Sequence, residues 1–139
     1  MKILIICSKS FYPEIKEIKK KLEKKGHEIS LPNSYEDPLA EERAWNLGIH
    51  SEFKKRMFNQ SRYTIEQMDA VLCLNFSKDK LKNYIGGATF LELYEAFMNN
   101  KKIYLYHDIP EGMLYDEISG FDPIIINEDL GMIQDEEGE

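Results

Sequence analysis

An α/β domain, built on a five-strand parallel sheet with helices on both faces, is what this sequence predicts, on three observations. Apolar runs of strand length recur at Met1–Cys7, His27–Leu31, Ala70–Leu74, Lys102–Tyr106 and Pro123–Ile126. The central ones, MKILIIC and AVLCL, are continuous rather than alternating, as strands buried on both faces require. Between the runs lie segments whose apolar residues repeat every three or four positions, the period of a helix packed on one side.

The elements follow in order. After the first strand, Pro13 sits where an opening helical turn tolerates proline, and Ile15, Ile18 and Leu22 share one helical face. Gly26 stops that helix, and the strand after it ends at Pro32-Asn33-Ser34. This opening is a βαβ unit. Leu39–Leu47 reads as a helix interrupted by Gly48, and another begins near Ser51. In it Phe53, Met57, Ser61, Ile65 and Met68 recur on one inward face. Asp69 precedes the third strand, at the amino end, and is read as structural.

A polar loop from Asn75 to Gly87 leads to a helix at Thr89–Asn100 and then to the fourth strand. Residues 110 to 120 form a loop with room for a turn of helix before the fifth strand. One domain covers residues 1–134, and 135–139 form an acidic tail. Right-handed crossovers then favour the flavodoxin-like strand order 2-1-3-4-5.

Composition narrows the function. A chain of 139 residues buries enough surface to fold without a metal or disulfide staple. Its two cysteines, Cys7 and Cys73, stand inside apolar strands, and His27, His50 and His107 show no metal-ligand spacing. No metal or cofactor is expected. The net charge of −7 repels nucleic acid, and the basic run from Lys16 to Lys25 reads as the solvated side of the first helix. The first apolar run is too short for a signal segment or a membrane span, so a cytoplasmic location is expected.

In parallel sheets of this kind ligands bind beyond the carboxyl ends of the strands, where the strand order reverses. That rule selects Ser8-Lys9-Ser10, Asn75-Phe76-Ser77, Gly86-Gly87 and His107-Asp108. Ser8-Lys9-Ser10 lacks the spacing of a nucleotide-kinase loop. Asn75 either binds a sugar hydroxyl or closes the turn after its strand. The paired glycines permit close backbone approach at a helix start. Glu92, one turn in, stands among Phe90, Leu91, Leu93, Tyr94, Ala96, Phe97 and Met98, surroundings that raise a carboxyl pKa toward acid, base or nucleophile work. Thr89-x-x-Glu92 is equally a capping box, in which the glutamate only satisfies the helix's first amides. Trp45, Tyr84, Phe90 and Tyr94 read as core or subunit contact, and a helix apolar nearly all round implies cover by a partner subunit, hence a homo-oligomer.

The stretch from Asp69 to Tyr106 resembles the nucleoside 2-deoxyribosyltransferase and deoxynucleoside 5′-monophosphate N-hydrolase superfamily. The likeness lies in Asp69-Ala70-Val71-Leu72, Gly86-Gly87, Glu92-Leu93-Tyr94-Glu95-Ala96, Lys101 and Ile103-Tyr104-Leu105. It implies that Glu92 is a nucleophile at the anomeric carbon of deoxyribose, and that Ser8, Ser10 and Phe11 frame base and sugar. Assembly with shared active sites is implied too. Two positions depart from the pattern: Ser61 and Gly86 stand where members often carry Asp, and Asp or Ser. The expectation is therefore an enzyme that cleaves or transfers the N-glycosidic bond of a deoxynucleoside or deoxynucleoside 5′-monophosphate. The alternative is a nucleotide-binding or regulatory domain of the same fold without the chemistry. A third reading follows from a related Gly-Gly-x-x-Thr-x-x-Glu pattern, that of enzymes cleaving ribonucleoside monophosphates.

Overall fold

A computed structural model describes residues 1–135. Strands β1 (Lys2–Ile6), β2 (Glu28–Ser30), β3 (Ala70–Cys73), β4 (Lys102–Leu105) and β5 (Ile124–Ile125) form one sheet. All neighbours pair in parallel, in the order β2-β1-β3-β4-β5. Helices α1 (Ile15–Lys24), α2 (Ala40–Asn46), α3 (His50–Glu66), α4 (Gly87–Met98) and α5 (Tyr115–Gly120) surround it.

Strand periodicity divides the core in two. Ile3, Ile5 and Cys7 of the first strand, with Ala70, Leu72 and Leu74, meet Ile15, Ile18 and Leu22 of α1 on one face. The residues between them, Leu4, Ile6, Val71 and Cys73, meet Ile65 of α3, Leu93 and Ala96 of α4 and Ile118 of α5 on the other. The result is the three-layer, flavodoxin-like arrangement that continuous apolar strands demand.

Several local details differ from the sequence expectation. Pro13 lies inside a short 3-10 turn, Lys9–Glu14, so α1 begins at Ile15. The helix expected from Thr89 begins two residues earlier, at Gly87, with Gly86 as its N-cap. Gly48, by contrast, breaks the helix as expected: its φ of +73°, a left-handed turn, lets α2 end and α3 start at once. Asp135, expected at the start of a loose tail, lies 3.2 Å from the Met1 ammonium; residues 136–139 fall outside those described.

Polar residues at the two ends of β3 tie the sheet together. At the amino end, Asp69 accepts the Lys2 amide on Oδ2 at 2.7 Å, the structural role expected of it. At the carboxyl end, Asn75 is fully buried. Its Oδ1 accepts from the His107 amide at 2.8 Å, and its Nδ2 donates to the carbonyls of His107 and Asp108 at 3.0 and 2.9 Å. Asn75 thus spends its side chain on joining the exits of β3 and β4. Replacing it with alanine strands those backbone groups in the interior, so Asn75→Ala should cost about 3 kcal/mol of stability. Urea unfolding of the variant measures this; a loss below about 1 kcal/mol contradicts the assignment.

Candidate functional site

β1 and β3 lie side by side, but the chain leaves them toward different neighbours, which opens a crevice at their carboxyl ends. A cavity of about 320 Å³ occupies it. The turn after β1 contributes Cys7, Ser8, Lys9, Ser10 and Tyr12, and the segment after β2 contributes Asn33. Lys54, Met57 and Ser61 of α3 form one wall. Lys78, Tyr84, Gly86 and the first turns of α4, through Glu92, complete it.

Because α4 starts at Gly87, Thr89 is its third residue and Glu92 its sixth, too far along to cap it. The capping-box reading is therefore corrected: Thr89 is buried, the cap residue Gly86 makes no side-chain bond, and Glu92 faces the cavity. There Ser61 Oγ donates to Glu92 Oε2 at 2.8 Å, and Asn33 Nδ2 donates to Ser61 Oγ at 2.6 Å and to the Met57 carbonyl at 3.0 Å. Glu92 Oε1 has no hydrogen-bond partner among the described residues. Through the cavity mouth Glu92 keeps some solvent contact, yet enclosing protein raises its pKa from 4.5 to about 7. Burial outweighs the opposing pull of the Ser61 hydrogen bond and the Lys54 charge.

The neighbouring groups are tuned differently. Burial, reinforced by Glu92, pushes the Cys7 thiol up to about 12, so it stays protonated at neutral pH. Burial likewise raises the Tyr12 phenol above its ordinary value, with the charges of Cys7, Glu92 and Glu41 adding to the effect. Tyr84 carries Lys78 Nζ over its ring, 4.9 Å from the centroid. Its hydroxyl fills the space beside Gly86, where an added Cβ would come within 3.1 Å of it.

Of the residues singled out from sequence, Ser8, Lys9, Ser10, Gly86, Gly87 and Glu92 meet at this cavity. Ser8 also caps the 3-10 turn, accepting the Ser10 amide at 3.3 Å. Two do not join them. Phe11 is buried edge-on against Phe76 and Tyr84, and Asn75 closes the sheet as described, so neither lines the site. His107 and Asp108 line a separate cavity of about 960 Å³, bounded on one side by Tyr84. Sequence reasoning missed Asn33, Tyr12 and Lys54. Asn33 looked like part of a strand-ending turn, and no local pattern set Tyr12 or Lys54 apart. No three His, Cys, Asp or Glu come together as a metal site among the described residues, and there no helix is long and apolar enough to cross a membrane.

Comparison with models of known families and with curated proteins found no match to this chain.

The folded protein holds the Glu92 proton more tightly than the unfolded chain does. Glu92 therefore weakens the fold as pH rises from about 4.5 through about 7. Glu92→Gln, which removes that buried charge, should stabilise the protein by about 2 kcal/mol at pH 8 and leave it nearly unchanged at pH 4. Thermal unfolding across this range tests it; a variant less stable at pH 8 would restore the capping role.

Proposed function

We propose that the protein cleaves or transfers the N-glycosidic bond of a deoxynucleoside or deoxynucleoside 5′-monophosphate, with Glu92 as the nucleophile. The observation that carries this reading is Glu92 itself. It is a carboxylate at the wall of a cavity, with one oxygen held by Ser61 and the other unpartnered. Oε1 attacks the anomeric carbon, the bond to the base nitrogen breaks, and the base leaves with the electron pair and takes up a proton. Attack of water on the resulting glycosyl ester regenerates the carboxylate and frees deoxyribose or its phosphate; attack of a second base completes a transfer.

The two departures from the resembled pattern have counterparts in the cavity. Ser61, where an acid is often found, holds the nucleophile and is itself fixed by Asn33. Beside Gly86, the Tyr84 hydroxyl takes up the room that a side chain at position 86 would use. The binding-only alternative is favoured by those same departures, and turnover separates the two. In this reading the protein acts in the cytoplasm, and no prosthetic group enters the scheme.

Chromatography of free base after incubation with a panel of deoxynucleosides and their monophosphates is the test. Base release should fall about tenfold per pH unit below about 7 and level off above, because the attacking form is ionised. Glu92→Gln should lose more than about a thousandfold in turnover while staying folded. Ser61→Ala removes a bond that favours the ionised form, so its profile should shift to higher pH, with activity recovering there. A wild-type protein that binds a nucleotide yet releases no base would establish the binding-only reading.

Assembly belongs to the same proposal. The apolar helix expected to be buried all round is covered on one side alone in the single chain: Leu93 and Ala96 are buried, while Leu91, Tyr94, Phe97 and Met98 remain 43–58% exposed. A second copy of the chain covers that face in our reading. Light scattering should show a dimer or larger at micromolar concentration, and Phe97→Glu should shift it to monomer. Wild-type monomer at that concentration would overturn the assembly.

A further inference from the structure

Three basic side chains converge on one carboxylate at the edge of the Glu92 cavity. Glu41 Oε2, on α2, accepts from His50 Nε2 at 2.8 Å and lies 3.6 Å from Lys54 Nζ; Oε1 lies 3.9 Å from Lys9 Nζ. A carboxylate only accepts, so His50 carries its proton on Nε2. Glu41, Lys9 and Lys54 all line the cavity, and His50 backs Glu41 with its ring stacked on Trp45 at 3.9 Å. The His50 hydrogen bond first, then Lys54 and Lys9, hold the Glu41 carboxyl below its ordinary value against the opposing effect of burial.

Two lysines against one carboxylate leave this wall positive, in a chain whose net charge is −7. The Lys54 charge also reaches Glu92, so an anion seated here is within molecular reach of the nucleophile. Glu41 is not fastened into the core. Its side chain is 28% exposed, on a seven-residue helix whose one buried side chain is Ala44. Partly exposed ion pairs of this kind hold about 1 kcal/mol or less. A phosphate, with up to two charges and three acceptor oxygens, competes well for the same donors.

We propose that Lys9 and Lys54 form the phosphate subsite of this cavity, that Glu41 is its displaceable internal anion, and that the preferred ligand is a deoxynucleoside 5′-monophosphate. The proposal rests on the reading of the cavity as a nucleotide site. On binding, the phosphate takes over the two lysine contacts and Glu41 keeps His50 as its partner. Trp45, the single tryptophan, stands on the same helix as Glu41 and stacks on that histidine, so its emission reports the exchange.

Calorimetric titration at low salt with deoxynucleosides, their 5′-monophosphates and inorganic phosphate tests this, with tryptophan emission followed alongside. Monophosphates should bind the wild-type protein at least about tenfold more tightly than the matching nucleosides. The Lys9→Met/Lys54→Met double variant should bind both alike. Glu41→Gln should tighten monophosphate and inorganic phosphate several-fold and leave nucleosides unchanged. Equal binding by the wild-type protein, a preference that survives loss of both lysines, or no monophosphate binding would each overturn the subsite. Base release is scored separately. Lysine-dependent monophosphate binding without base release overturns the glycosidic chemistry alone. Base release that ignores both phosphate and the lysines overturns the subsite alone.

Discussion

The withdrawal of one carboxylate from water, beside a crevice that still admits a ligand, is the constraint on which the rest of the site depends. Glu92 sits there as the sixth residue of α4, which begins at Gly87 behind its N-cap Gly86, and it lines the cavity. Burial makes the charged form costly, and a single hydrogen bond from Ser61 offsets only part of that cost. Ser61 in turn is held by Asn33 from the segment after β2. Three separate stretches of chain therefore converge on one oxygen atom, and each is delivered by the carboxyl side of the same sheet.

The electrostatics of the cavity follow from where each group stands relative to that sheet. Cys7 continues directly from β1 and Tyr12 from the turn after it; both are pushed upward by burial, so they remain neutral near pH 7. Glu92 is the cavity carboxylate whose charge changes close to neutrality. Glu41, at the rim, keeps company with Lys9, His50 and Lys54 and stays ionised. Two carboxylates on one cavity thus hold opposite preferences because one is enclosed by protein and the other is surrounded by cations. That separation is the usual physical basis for dividing chemical roles between like groups.

The sheet, its order and its helical cover were legible in the sequence, because continuous apolar strands of this length have few ways to bury both faces. Asp69 was legible too, since its position at the amino end of β3 excludes it from the ligand side. Helix starts were not. Thr89 and Glu92 match a capping box by spacing alone, but the helix begins two residues earlier, at Gly87, which puts the glutamate in its second turn, beyond reach of the first amides. The apolar residues of α4 were read as buried all round, whereas the sheet can cover no more than one side of a helix.

Local residue chemistry by itself determined the strand-and-helix alternation and the end of the sheet where a site can form, and it left Glu92 open between helix cap and reactive group. These depend on patterns a few residues long, which short-range geometry converts directly into structure. Tertiary structure alone decided that Asn75 joins strands instead of meeting a ligand, and that Phe11 packs away from the cavity. It also decided that Asn33, Ser61 and Glu92 form one chain of hydrogen bonds across positions far apart in sequence. A hydrogen bond needs its atoms within about 3 Å in space, and only the closed three-layer fold brings those side chains that near.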